Sequence, residues 1–174
     1  WNLQFYYKRI AGIGGGYVGV GSDQAYVLLG WQRPTAAWLV DYDANVVLNH
    51  KLYHAFFAAA DTPQGFIQLW AKPEMGLPVL QAALGKDPNW ALLRRVYKKW
   101  RIRVLRRHGR LRRAMRMKRN RPRVPFYLND QDTYTYVRDL ISAGRVRVMS
   151  ANLLANKGLR GIGVAAERLK TPLR

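Results

Sequence analysis

GGGYVGVGSDQAYVLLGWQRPTAAWLVDYD, residues 14–43, runs in the order strand, glycine turn, helix, strand, acid. Tyr17–Val20 reads as a short buried strand, and Gly19 and Gly21 supply a turn where backbone can come close to a ligand. Ser22 stands where an N-cap belongs, and Asp23 falls in the first turn, where the helix dipole favours negative charge. The helix predicted over Gln24–Gln32 carries Tyr26, Val27, Leu28 and Trp31, and Pro34 forces its end. Ala36–Val40 is a second apolar run. Asp41 closes it, twenty residues after Gly21. At that spacing a carboxylate can receive the ribose hydroxyls of a nucleotide whose remainder sits over the glycine turn.

Two nucleotide readings compete. Gly14, Gly16 and Gly19 satisfy GxGxxG, but in that register the glycines precede the best strand instead of following it. In the register that starts at Gly19 and Gly21 the third position is Gln24, where a dinucleotide site wants a small residue for close helix–strand packing. What is left, a glycine-rich first loop and an acid ending the second strand, resembles the S-adenosylmethionine site of class I methyltransferases. GVGSDQAY and LVDYD are similar to the corresponding segments of an uncharacterised bacterial family with a methyltransferase-like Rossmann fold. The resemblance implies an α/β protein, a Rossmann-like sheet flanked by helices. It implies that Gly19 and Gly21 admit the amino-acid part of S-adenosylmethionine, with Ser22 and Tyr42 beside them, and that Asp41 holds the ribose. A strand–turn–helix of this type without a ligand stays open, because fold does not fix function.

The resemblance continues in Arg147–Leu153. In methyltransferase-like folds the third strand is followed by an acid that reads the adenine amino group, and here Asn152 stands in its place. Its side-chain carbonyl can still accept from an amino group, so the resemblance implies that Asn152, with the Leu153 backbone, faces the adenine. It covers about residues 10–60 and 128–174, one domain with residues 86–125 as a basic helical arm inserted between its halves. A fourth strand is expected after Pro172, its end carrying the polar motif that faces a substrate, and that strand is missing from the sequence. Methyl transfer asks for little beyond alignment of nucleophile and sulfonium, so no catalytic residue is assigned and activity is left open. Use of S-adenosylmethionine would favour the cytoplasm.

With 174 residues, one domain is the natural expectation, and 49% hydrophobic with 12% aromatic residues is ample for a core. No run of about 20 apolar residues is present to span a membrane. The absence of cysteine excludes disulfides and thiolate metal sites. A start at Trp1 rather than Met suggests that a tag, a disordered segment or a signal sequence once preceded it. The net charge of +20 is local: sixteen of the thirty Lys and Arg lie in the acid-free window Arg94–Arg123.

Trp1–Ile10 is read as a leading helix or strand. Ala44–Ala60 has Val47, Leu48, Leu52, Ala55, Phe56 and Ala59 at helical spacing, with Asp43 as its cap. Phe66–Trp70 reads as helical or extended. Pro73, Gly76 and Pro78 mark a loop, with a helical turn at Pro78–Leu84. Asp87-Pro88 reads as a helix start. Leu93, Val96, Tyr97, Trp100, Val104, Leu111 and Met115 then share one face of one long helix, or of two halves joined near Gly109. A helix from Asp130 or Asp132 to about Ser142, a strand at Arg145–Met149 and a helix at Leu159–Leu169 follow. Thr171–Arg174 approaches a further strand.

His50 and His54 stand four apart, a spacing that can bind a metal, but no glutamate stands beside His50, and no metal site is assigned. A partly buried histidine pair is the simpler reading. The basic helix has three readings. In the first it is a solvated helix whose apolar stripe packs on the domain. In the second it binds RNA or DNA through Arg94, Arg95, Lys98, Lys99, Arg101, Arg106, Arg107, Arg110, Arg112, Arg113, Arg116, Lys118 and Arg119, by charge and shape alone. The third, weaker reading is a membrane surface, with Trp90 and Trp100 on the apolar face.

Overall fold

The computed structural model describes residues 4–115, 124–152 and 156–173. Three parallel strands, β1 (Gly16–Val20), β2 (Ala36–Asp41) and β3 (Val146–Ser150), lie in the order β1-β2-β3, and the protein is α/β. Gly16 stands opposite Ala36, and Ala37 opposite Val146. All six residues of β2 are buried, as a central parallel strand covered on both faces requires of an apolar run. Against the other edge of β1 comes Leu173, paired in parallel with Gly16, whose N–H donates to the Pro172 carbonyl at 2.7 Å. Pro172 and Leu173 thus lie beside β1, in line with the expected approach to a strand.

Side chains alternate across the sheet. Ala36, Trp38 and Val40 face α8 (Asn156–Arg168), whose Ile162 and Ala166 cover them. Tyr17, Ala37, Leu39 and Val146 face the larger helical layer. That layer holds α1 (Gln4–Ile10), α2 (Asp23–Gln32), α3 (Ala44–Ala59), α4 (Pro63–Ala71), α5 (Pro73–Leu84), α6 (Trp90–Ala114) and α7 (Gln131–Ser142). Helices α2 and α3 lie against the sheet, α7 packs on both, and α4, α5 and α6 stack outward from α3. Aromatic rings fill the space between them: Tyr26 stacks on Tyr53 at 4.8 Å, and Phe57 meets Phe66 at 4.5 Å. Such pairs add about 0.5–1.5 kcal/mol each beyond the area they bury.

Short polar side chains fix where helices begin. Asp43 accepts the Asn45 N–H at 2.8 Å, Thr62 the Gly65 N–H at 3.0 Å and Asp130 the Thr133 N–H at 2.9 Å. Each cap stabilises its helix by about 1 kcal/mol. Asp87 instead accepts the N–H of Asn89 at 2.8 Å, and α6 starts one residue beyond it, at Trp90.

The structure corrects one sequence expectation. Pro73, Gly76 and Pro78, read as a loop, belong to helix α5. Pro73 occupies the first turn, where its missing N–H is no loss. A Cβ on Gly76 would collide with the Leu69 carbonyl and Tyr97, so glycine is what lets α5 lie close to α4 and α6. Burial of Leu80, with Leu77 and Val79 packed beside it, holds the helix together through Pro78. Residues 86–125 were expected as an arm. The described residues of that stretch include α6, one helix continuous through Gly109, with Leu93, Val96, Tyr97, Val104 and Leu111 inside the same core as the sheet.

Candidate functional site

The carboxyl ends of β1 and β2 meet at a glycine turn and an acid. Gly21 has φ +83°, a conformation that strains any L side chain, and a Cβ built on it meets nothing within 4 Å. Its N–H donates to Asp41 Oδ2 at 3.2 Å, while the Asp43 N–H donates to Asp41 Oδ1 at 2.9 Å. Asp41 therefore clasps the turn to the end of β2. Each of its oxygens has accepted one hydrogen bond and keeps capacity for another. Ser22 occupies the N-cap position of α2 but makes no side-chain cap bond. Tyr42 projects outward, 83% exposed.

Beneath the turn lies a side chain that sequence reasoning did not connect with it. His50 Nε2 stands 2.7 Å from the Gly21 carbonyl, and its Nδ1 stands 2.7 Å from the Tyr26 hydroxyl. A carbonyl only accepts, so Nε2 carries the proton and Nδ1 accepts from Tyr26. Burial lowers the His50 pKa, against the Gly21 carbonyl and the Asp23 and Asp41 charges, and keeps the ring neutral. No spacing rule links His50 to Gly21; the contact arises only when α3 crosses under the turn.

Gly19 has a different role from the one expected. A Cβ there would overlap the Tyr17 ring, which lies along the strand over Gly19. The space above Gly19 is filled by protein, and the opening to solvent is at Gly21. Burial pushes the Tyr17 hydroxyl up to about 12.

β3 ends on the same rim. Ser150 pairs with Asp41, the Ala151 N–H donates to the Asp41 carbonyl at 3.2 Å, and Asn152 follows, exposed. The structure thus brings Gly21, Ser22, Asp41, Tyr42 and Asn152 to one end of the sheet. Leu153 lies outside the described residues, as do Arg116, Lys118 and Arg119.

A family model for a domain of unknown function, DUF7790, matches residues 1–174. The chain belongs to that family. No curated protein matches it.

In this DUF7790 chain the basic helix touches the glycine turn through one ion pair. Arg107 donates from Nε and Nη2 to the two carboxylate oxygens of Asp23, which is 3% exposed at the start of α2. Burial works against the Arg107 charge, and the Asp23 hydrogen bond and charge outweigh it, so its pKa rises. Tyr53 donates to the same carboxylate and accepts from His108 Nε2 at 2.8 Å. Burial lowers the His108 pKa to about 4, with Asp23 opposing and Arg107 and Arg112 assisting. Arg107 is thereby committed to the interior of the DUF7790 fold, and His108 is a core residue despite its place in the basic run. Arg101 is partly engaged, donating to the Ala71 carbonyl at 3.1 Å. Arg94, Arg95, Lys98, Lys99, Arg106, Arg110, Arg112 and Arg113 are exposed. Among the described residues, none of these eight pairs with a carboxylate. His50 is buried and His54 half-buried, four residues on along α3, and burial lowers His54 to about 4.

Proposed function

We propose that this domain binds S-adenosylmethionine, or a closely related nucleoside-containing ligand, over the Gly21 turn with Asp41 receiving its ribose. The observation that carries the reading is the juxtaposition of Gly21 and Asp41. The open face of the glycine admits ligand atoms to backbone distance, and the carboxylate keeps an acceptor site on each oxygen for a pair of hydroxyls. The lateral order supports a Rossmann-like, methyltransferase-type sheet. β1 has β2 on one side, and on the other the chain returns to it at Leu173 through a single bridge, which fits a strand order that reverses at β1. In doubly wound sheets ligands sit outside the carboxyl ends of strands at such a reversal. Asn152 stands on the same rim, where the adenine would lie. S-adenosylmethionine supplies a methyl group activated by its sulfonium, so the reading is a methyltransferase-like domain.

Calorimetric titration with S-adenosylmethionine, S-adenosylhomocysteine and NAD tests it. Micromolar binding of the first two and none of NAD is expected, with binding lost in Asp41→Ala. Asp41→Asn, which keeps an acceptor for one backbone N–H, separates loss of ligand contacts from loosening of the turn: it should remain folded and still bind weakly or not at all. Absence of heat with either sulfur ligand on folded protein removes the reading.

A further inference from the structure

We propose that the outward face of α6 is a nucleic-acid-binding ridge whose C-terminal half leads a phosphate backbone to the rim at Gly21. Arg95, Lys99, Arg103, Arg106, Arg110 and Arg113 follow one another at steps of three or four residues and therefore form one stripe along the helix. All six are exposed, and none of the six has a carboxylate partner among the described residues. At about 1.5 Å per residue the stripe is about 27 Å long. Like charges at these spacings repel one another along a helix, and a line of phosphates relieves that repulsion while releasing the counterions it had condensed.

The apolar side of α6 decides between a nucleic acid and a membrane. An interfacial helix needs an apolar face free to enter the lipid. Here that face is spent on the core: Leu93, Val96, Tyr97, Val104 and Leu111 are buried, and Trp90 and Trp100 pack against them. The large hydrophobic residues that α6 exposes, Leu92 at 38% and Ile102 at 42%, are scattered among the bases. A phosphate backbone asks only for charge at the right spacing.

The link to the rim is geometric. The Arg107–Asp23 pair holds the C-terminal half of α6 against the first residue of α2, directly after Gly21 and Ser22. A cavity of about 240 Å³ opens between the two helices, and Arg110, part of the stripe, lines it together with Gln24 and Leu111. Arg107 is a positioning residue in this arrangement and makes no contact with the strand. The inference stands on charge and exposure, independently of the S-adenosylmethionine reading.

Fluorescence anisotropy of the full chain with labelled single-stranded RNA and with a DNA duplex, across a salt series, tests it. For six phosphate contacts, log affinity against log salt should fall with a slope of about −4 on the single strand and about −5 on the duplex. The triple variant Lys99→Glu/Arg103→Glu/Arg106→Glu should weaken binding on the order of 100-fold and flatten the slope by about 2 to 3. Lys8→Glu/Arg9→Glu/Arg160→Glu makes the same change in net charge elsewhere on the exposed surface and should leave affinity nearly unchanged. Equal loss in both triples, a salt-independent affinity, or tighter binding to phosphatidylserine vesicles than to either nucleic acid overturns the proposal. Asp41→Ala, which abolishes the proposed nucleoside site, should bind nucleic acid as the wild type does.

Discussion

Gly19 and Gly21 are both glycine for steric reasons, and the reasons differ. Gly19 makes room for the Tyr17 ring, whereas Gly21 supplies a backbone angle and an open surface. The difference is measurable. Gly19→Ala should destabilise the fold by about 1–3 kcal/mol through overpacking, and most of that loss should vanish in a Tyr17→Ala background, as a double-mutant cycle by urea unfolding would report. Gly21→Ala should lose about 1–2 kcal/mol from the positive φ alone, in either background. Equal coupling of both glycines to Tyr17 would sink this account. The sequence marks both positions as places where a side chain is unwelcome, but which object occupies the vacated space depends on where the Tyr17 ring lies.

Among the elements, α5 offers the cleanest test of local rules against packing. Pro78 is exposed and sits inside the helix, where its ring and missing N–H work against helical structure. Pro78→Ala should therefore raise stability by about 1–2 kcal/mol, less than the full difference in helix propensity because the variant also frees the unfolded chain. A lower urea midpoint in the variant would mean that proline fixes a bend the packing needs. The same helix shows the limit of reading punctuation: three breakers in six residues signal a loop, and only burial of Leu80 and the close approach at Gly76 reverse that signal. β1, α2, β2 and α3 were legible because apolar runs, caps and breakers agreed there. The apolar stripe of α6 was legible too, but a stripe says that a face is buried and not what buries it. The pairing of Arg107 with Asp23 therefore lay beyond reach, as did the approach of His50 to Gly21.

At the scale of the molecule, His50 and His108 are buried, His54 is half-buried, and all three have lowered pKa values. For His54 and His108, near 4 when folded and near 6.5 when unfolded, the unfolded chain binds more protons between those values. Stability is therefore complete above about pH 6.5 and falls as pH drops through the window toward 4. Each histidine accounts for on the order of 3 kcal/mol by pH 4. The urea midpoint should drop markedly from about pH 7 to about pH 5, and the drop should persist in high salt, which screens the general repulsion of a chain carrying +20 but leaves buried titration in place. A flat profile would mean that water reaches these rings.

The placement of β3 bears on how the chain assembles. β2 pairs with β3 across a connection of roughly a hundred residues, against a few tens for an ordinary crossover, and each doubling of such a loop adds about 0.6 kcal/mol of closure entropy. Helices α3 to α7 occupy that connection, and their mutual packing is what shortens the distance the strand must search. The expected order is helical layer first and third strand last. The sheet end that carries Asp41 and Asn152 would then be a late product of folding, complete only once the interior behind it has formed.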